Sequence, residues 1–273
     1  ERDRRWKNMR KTIVIILAIL FMIPVFWTVT SSFKSMSEIY KYPPTIFPKK
    51  ISFEGYINIF KQSNFMRYLY NTLFVAIVST VITVFLCVSL GYGLAKGTFK
   101  HKDFFSEIVV ITLFVTAQII MVPLFVIIKQ LGLMDTLWGL IIPAVFTPTG
   151  AFTAIQYMKD LPDEFLESAK VDGANEWQIF MKIVMPLSKP LIASLAIFSF
   201  TWRWNDFVLP LIVINSGKNF TIQLALATLQ GQYGIPWNEI LAFSVMSIIP
   251  TLIIFLLFQN LFMKGLSAGG LKY

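Results

Sequence analysis

The chain has few of the residues that enzymes and metalloproteins rely on: among its 273 residues there is one cysteine and one histidine. A single cysteine, Cys87, excludes a disulfide framework and a thiolate metal site. A single histidine, His101, excludes a multi-histidine metal centre and leaves no Ser-His-Asp or Cys-His arrangement. No GxxxxGK phosphate-binding loop occurs, so the chain carries no nucleotide motor of its own. We therefore expect no enzymatic activity, no metal and no cofactor in this chain.

Charge is also scarce, since 14% of the residues are charged and 56% are hydrophobic, with 26 phenylalanines. A soluble core of this size cannot bury so much apolar surface, so lipid is the expected solvent for most of it. Six apolar runs approach or exceed the length of about 20 residues that a membrane-spanning helix needs. They cover residues 12–30, 68–95, 104–128, 137–158, 191–214 and 240–262. Because the runs are continuous rather than alternating, they predict helices and not a barrel. The expected fold is a single all-α transmembrane domain over residues 1–273.

The net charge of +9 does not indicate nucleic acid, because the basic residues are concentrated at the edges of the apolar runs. Six of the first eleven residues are basic and directly precede the first run, which is the positive-inside pattern of a first spanning helix. A cleavable signal peptide is a weaker interpretation, because the run is long and no small-residue cleavage site follows it. With six spans, both termini are expected in the cytoplasm. Fifteen basic residues then lie inside and eight in the outer loops.

The polar segment 159–189 stands between the fourth and fifth runs and is the most informative part of the chain. It holds six of the fifteen acidic residues together with four lysines, a net charge of −2. Two interpretations compete. The segment could be an amphipathic connector on the lipid surface, although anionic headgroups prefer basic helices. It could instead dock into a groove on a soluble partner, which the acidic charge favours.

Within this segment the sequence predicts two short helices joined by a turn. Pro162 is suited to the first helical position, and Asp163 and Glu164 suit the positive end of the helix dipole. Gly173 can adopt the left-handed conformation that a change of direction requires. The apolar stripes are expected at Phe165, Leu166 and Ala169 on the first helix, and at Trp177, Phe180, Ile183 and Val184 on the second.

The segment resembles the EAA loop of bacterial ABC importer permeases. The residues that carry the resemblance are Glu167-Ser168-Ala169, Asp172-Gly173-Ala174, Ile183 and Pro186-Leu187. Ser168 replaces the usual middle alanine and Met185 stands where leucine is common, both mild departures. Two further stretches, Trp204-Asn205-Asp206-Phe207 and the tail Gly265-Leu266-Ser267-Ala268-Gly269-Gly270-Leu271-Lys272, are similar to the carbohydrate-uptake branch, that of the maltose permeases.

The resemblance implies a type I importer half-channel in the bacterial cytoplasmic membrane. It would pair with a second, homologous permease, two ATPase subunits that bind ATP and Mg²⁺, and an external solute-binding protein that delivers a sugar. The loop would supply a coupling helix that sits in a cleft of one ATPase. Carried over by position, the coupling residues are Glu167, Ser168, Ala169, Asp172, Gly173, Ala174 and Pro186. The tail around residues 267–272 would lie near the ATPase interface.

The fifth run contains the candidates for the translocation path, because ionisable residues inside a membrane are costly and often functional. The candidates are Trp202, Arg203, Asn205 and Asp206. Arg203 and Asp206 are three residues apart and could pair on one helix face. Alternatively, the cluster lies at the outer interface, where tryptophan forms the aromatic belt and arginine snorkels.

Two other classes of protein remain as alternatives. A secondary transporter or channel acting as a homo-oligomer would need relay carboxylates within its spans and broken helices at matching positions of two repeats. Only the cluster at Arg203 and Asp206 could serve that purpose. A membrane enzyme is the more distant alternative, because no set of nucleophile, base and metal converges in the sequence.

Overall fold

The structure, a computed structural model, describes residues 2–62, 64–229 and 235–270. In these ranges the regular structure is entirely helical, with no β-strand. The α-helices are α1 (Arg2–Ser31), α2 (Met36–Ile39), α3 (Glu54–Gln62), α4 (Phe65–Lys96), α5 (Lys102–Thr112), α6 (Ala117–Gln130), α7 (Trp138–Ile141), α8 (Pro148–Lys159), α9 (Glu164–Val171), α10 (Glu176–Ile179), α11 (Met185–Leu187), α12 (Lys189–Trp204), α13 (Val208–Val213), α14 (Ile222–Thr228) and α15 (Trp237–Gly270). Two 3₁₀ turns cover Ile142–Ala144 and Gly217–Asn219, and a π-helix covers Phe180–Val184.

Four segments of the described chain are long and apolar enough to cross a membrane by themselves. They are Met9–Ser31, Phe65–Lys96, Trp138–Lys159 and Trp237–Leu257. Two bent pairs raise the number to six if each counts as one span: α5 with α6 at 106°, and Glu176–Leu187 with α12 at 76°.

Three of the six expected spans are interrupted rather than continuous. The run 104–128 bends by 106° between the end of α5 at Thr112 and the start of α6 at Ala117. The run 137–158 passes through the 3₁₀ turn before α8 resumes at Pro148. The run 191–214 breaks between α12 and α13, and Pro210 accounts for it, because a proline ring clashes with the carbonyl four residues earlier, at Asp206.

The chain divides into two compact units, one of Glu1–Met66 with Ala225–Pro250 and the other of Arg67–Leu224 with Thr251–Tyr273. In the first unit, α3 lies directly on the start of α15. A Cβ on Gly55 would overlap the Asn238 carbonyl oxygen, so only glycine allows this approach. Asn58 Nδ2 donates to Glu239 Oε1 over 3.0 Å beside it. The short helix α3 is thereby tied to the apolar helix α15.

In the second unit, the carboxyl-terminal part of α4 packs in close contact with the middle of α8. A Cβ on Gly91 would stand 2.7 Å from the Ala154 backbone carbon and from its Cβ. Around this contact lies a core that includes Cys87, Met158 and residues of α9 and α10. The loop 159–189 is therefore packed onto the spans by its own apolar side chains.

At the other end of this unit, Asp135 binds the connection that follows α13. Its carboxylate accepts hydrogen bonds from Ser216 Oγ at 2.8 Å, Ser216 N at 2.9 Å and Asn215 N at 3.1 Å. The hydroxyl and amide of Ser216, with smaller contributions from Asn215 and Asn219, lower the pKa of the Asp135 carboxyl to about 2. The carboxylate thus stays ionised and holds the two connections together.

Candidate functional site

The helix α9 has one buried and one exposed face. Asp163 is its N-cap residue, with Glu164 and Glu167 in the first turn, where acidic side chains favourably oppose the helix dipole. Leu166 and Ala169 are 6% and 7% exposed and join the core under the loop. The expected stripe is correct for these two residues but wrong for Phe165, which is 50% exposed.

The predicted turn at Gly173 is confirmed by the backbone. Gly173 has φ of +81°, the left-handed region that residues with a Cβ avoid. Its amide donates to the Lys170 carbonyl at 3.0 Å, and the Ala174 amide donates to the Ala169 carbonyl at 3.0 Å. This pair of bonds is the Schellman motif, which satisfies carbonyls at the helix end.

The second helix of the loop is less regular than the sequence predicts. Asn175 and Gln178 form a capping box at the start of α10, and the chain then continues as the π-helix Phe180–Val184 into α11, which contains Pro186. Phe180 and Val184 are buried as expected, whereas Trp177 is 60% exposed. A π-turn rotates side chains relative to a regular helix, which explains why the stripe is not continuous.

The outward side of the loop combines apolar and acidic groups. We call it the docking face and define it by the exposed residues Phe165, Glu167, Ser168, Val171, Asp172 and Trp177. Val171 is 88% exposed, which is unusual for a β-branched apolar residue at a helix end. Apolar side chains rimmed by carboxylates are typical of a protein-binding surface. Of the predicted coupling residues, Ala169 is buried and supports the helix from below.

Two residues of α4 that the sequence interpretation missed hold the loop from the membrane side. Lys96 Nζ donates to Asp163 Oδ1 at 2.7 Å and to the Leu161 carbonyl at 2.6 Å. Tyr92 Oη donates to Glu176 Oε2 at 2.9 Å, and Lys170 Nζ contacts Glu176 Oε1 at 2.9 Å. A tyrosine and a lysine one turn apart, at the end of a span and facing an acid-rich loop, are the sequence signal that could have found them.

The structure does not bring Arg203 and Asp206 into a salt bridge, so the predicted pairing is wrong. Arg203 Nη2 donates at 2.7 Å to the carbonyl of Ala144, which also accepts from Thr83 Oγ1 at 3.1 Å. In a continuous helix this carbonyl would accept the amide of residue 148, but Pro148 has none. Arg203 therefore satisfies a carbonyl that a proline leaves free within the spans.

The remaining path candidates lie on a more open surface. Trp202 is 60% exposed, and Asn205 is exposed with its Nδ2 donating to the Thr201 carbonyl at 2.8 Å. Gln223 Nε2 lies 3.5 Å from Asn205 Oδ1, a long contact that brings a second amide beside the first. Asp206 accepts the Leu209 amide at 3.3 Å and so caps the start of α13. An aromatic ring and two amides can contact a sugar, whereas Arg203 and Asp206 serve the backbone.

The chain belongs to the family of binding-protein-dependent transport system inner membrane components, whose pattern it matches over residues 87–267. The arabinooligosaccharides transport system permease protein AraQ of Bacillus subtilis is 35% identical over 94% of this chain and 93% of that protein. The inner membrane ABC transporter permease protein YcjP of Escherichia coli is 33% identical over 93% of this chain and 92% of its own length. The diacetylchitobiose uptake system permease protein NgcG of Streptomyces coelicolor is 27% identical over 98% of this chain and 89% of its own.

Solved structures share the fold. A chain of a bacterial ABC transporter involved in the import of the acidic polysaccharide alginate superposes with a TM-score of 0.83 at 24% identity, covering 95% of this chain and 97% of that one. A chain of the bacterial alginate transporter bound to its periplasmic protein gives a TM-score of 0.66 at 18% identity, with 94% and 93% covered. These identities establish the fold alone. The all-α importer permease fold and the family predicted from the loop are both confirmed.

Proposed function

We propose that this chain is the permease subunit of an ATP-driven, binding-protein-dependent importer of an oligosaccharide or related sugar. Relatives that span nearly its whole length are permeases for arabinooligosaccharides and for diacetylchitobiose, which supports an oligosaccharide substrate. Its partners are a second permease, two ATPase subunits that bind ATP and Mg²⁺, and an external binding protein. It lies in the bacterial cytoplasmic membrane with both termini inside, as the distribution of basic residues favours.

The observation that carries the proposal is the loop 159–189, which packs onto the spans on one side and is exposed on the other. Leu166, Ala169 and Phe180 anchor it in the core of the spans, while the docking face is exposed. A segment built in this way can pass a movement from a soluble partner to the membrane helices. In the proposed mechanism, closure of the ATPases displaces α9, and the spans packed on it change their arrangement and open the path. In this mechanism the chain transmits the movement and forms part of the translocation path, whereas its ATPase partners hydrolyse ATP.

Trp202 and Asn205 are the residues we propose to contact the sugar on its way. The ring offers an apolar platform and the amides of Asn205 and Gln223 offer donors and acceptors, the combination that oriented recognition of a polar ligand requires. Arg203 and Asp206 act beside them as structural residues, because Arg203 Nη2 donates to the Ala144 carbonyl and Asp206 Oδ1 accepts from the Leu209 amide.

Gly173→Asp tests the coupling role. The position around Gly173 is open, with no atom within 4 Å of where a Cβ would stand, so the substitution causes no clash inside the chain. It strains the left-handed backbone by about 1 kcal/mol and places a charge at the edge of the docking face. The complete transporter should then assemble in the membrane yet lose ATP-driven uptake of labelled oligosaccharides in vesicles.

Gly132→Asp is the matched control, because Gly132 also has a positive φ, +68°, and open space around it, but lies outside the loop. It should keep uptake near the wild-type rate. Normal uptake by the Gly173→Asp transporter would refute the coupling role, and equal losses in both variants would show that backbone strain alone is responsible.

A further inference from the structure

The loop 159–189 is held by one span, α4, at two points. Lys96 holds the residues just before α9 through Asp163 and the Leu161 carbonyl, and Tyr92 holds the start of α10 through Glu176. The two holding residues are four positions apart, so they lie one above the other on the same face of α4.

The side chain of Lys96 on α4 is largely buried, whereas the acidic side chains on the loop are exposed. The Lys96 side chain is 10% exposed, whereas those of Asp163 and Glu176 are each 66% exposed. The basic group of Lys96 is therefore held against the protein, and Asp163 extends from the loop to reach it, while Glu176 extends to reach the Tyr92 hydroxyl. Charge-assisted hydrogen bonds of this kind are stronger than neutral ones and constrain direction as well as distance.

An aromatic group reinforces the contact at Tyr92. Its ring lies 5.8 Å from that of Phe180, which lies 6.1 Å from Phe85 and 5.9 Å from Trp177. Phe180 is 5% exposed and begins the π-helix. The carboxyl-terminal half of α4 and the second helix of the loop are thus joined by packed rings in addition to the hydrogen bond, and such packing transmits displacement instead of absorbing it.

We propose that Tyr92 and Lys96 are positioning residues that fix the loop 159–189 to α4 at two points, one just before the coupling helix α9 and one at the start of α10, so that a movement of the loop displaces α4 as a rigid body. One point of attachment would let the loop pivot, whereas two points on one helix face transmit direction. The inference rests on the proposed function, because it takes α9 as the segment that the ATPase moves. It adds that α4 is the span that receives the movement first.

The test uses the complete transporter, with both permeases, ATPases and binding protein, reconstituted in vesicles. The double variant Tyr92→Phe with Lys96→Met keeps the ring and the aliphatic stem but removes all three polar contacts with the loop. We expect ATP hydrolysis to remain stimulated by the binding protein, while the ATP hydrolysed per labelled oligosaccharide imported rises by about tenfold or more, since the loss of a single hydrogen bond to a charged group already corresponds to that factor. A purely structural role would lower both activities together.

Two controls accompany this measurement. Tyr70→Phe removes an exposed phenol at the other end of α4, whose ring stacks on Phe74, and should leave the ratio unchanged. Lys96→Arg retains donors for Asp163 and should largely restore coupling. If the double variant does not assemble, Asp163→Asn with Glu176→Gln removes the ionised acceptors from the exposed side and decides the question.

The proposal would be overturned if the double variant assembles and hydrolyses as much ATP per imported oligosaccharide as the wild type does. Loss of the ATPase from the Asp163→Asn, Glu176→Gln form would also overturn it, because these contacts would then serve assembly. The Gly173→Asp variant distinguishes the coupling role of the loop from the role of α4. Normal uptake by that variant refutes the coupling role of the loop. Its inactivity beside a normally coupled double variant refutes only the role of α4.

Discussion

At the scale of the residue, Arg203 is a structural group, because its guanidinium compensates for an amide that Pro148 lacks. Replacement by methionine leaves the Ala144 carbonyl with Thr83 as its side-chain partner and removes a strong, charged donor. We expect Arg203→Met to destabilise the protein by about 2 kcal/mol, within the range for hydrogen bonds to charged groups. The measurement is the midpoint of thermal unfolding of the purified protein in detergent, at one scan rate for all variants.

Thr83→Val is the matched control for this prediction, since it removes the weaker donor to the same carbonyl and should cost about 1 kcal/mol. An unchanged midpoint for Arg203→Met together with lost uptake would contradict the structural role. Such a result would indicate that Arg203 acts in the translocation path.

The sequence did not predict the roles of residues whose partners are distant in the chain. The proximity of Arg203 to Asp206 in the chain suggested a pair, but the partner of Arg203 is 59 positions away and is a backbone carbonyl. Tyr92 and Lys96 were missed for the same reason, because their acidic partners lie 84 and 67 positions further on. Gly173 was predictable, since its conformation is a local requirement of the turn.

At the scale of the element, α4 and α8 of the second unit approach closely at Gly91 and Ala154. A methyl group at position 91 would have to displace the Ala154 backbone, which a packed helix does not yield easily. We expect Gly91→Ala to lower stability by about 1–3 kcal/mol through overpacking. It should also reduce the yield of assembled transporter, as measured by gel filtration after purification.

Gly93, two residues further along the same helix, provides the control. Nothing lies within 4 Å of a Cβ built there, so Gly93→Ala should stabilise α4 by about 0.5–1 kcal/mol through helix propensity. We therefore expect alanine to lower the stability of the protein at position 91 and to raise it at position 93. A stabilising effect at both positions would mean that α4 and α8 are not in close contact.

The elements themselves were largely predictable, and their interruptions were not. Continuous apolar runs predicted the helices at α1, α4 and α15, because length and hydropathy are properties of one segment. The break before α8 leaves the Ala144 carbonyl to Arg203, a partner 59 positions away that hydropathy alone does not indicate. Proline positions mark where a break is permitted, but tertiary partners decide whether it occurs.

At the scale of the whole molecule, the proposed orientation places the loop 159–189 in the cytoplasm and the connection after α6 outside. The span Trp138–Lys159 separates the two regions within the same compact unit. The native Cys87 is buried at 0% exposure and should not react with a maleimide in the folded protein. Single substitutions to cysteine can therefore report the side of the membrane on which each region lies.

We expect Leu131→Cys, at a site 60% exposed, to react with a membrane-impermeant maleimide in intact cells. Val171→Cys, at a site 88% exposed on the docking face, should react only after the membrane is opened. Even then, bound ATPase should reduce the labelling of Val171→Cys, because a docked partner covers that face, while Leu131→Cys is unaffected. Labelling of Val171→Cys in intact cells would reverse the orientation, and an ATPase cannot use a docking face on the outer side of the membrane. If Val171→Cys is fully labelled in opened membranes with the ATPase bound, the proposed orientation still holds. Val171 then does not lie in the surface that the ATPase covers.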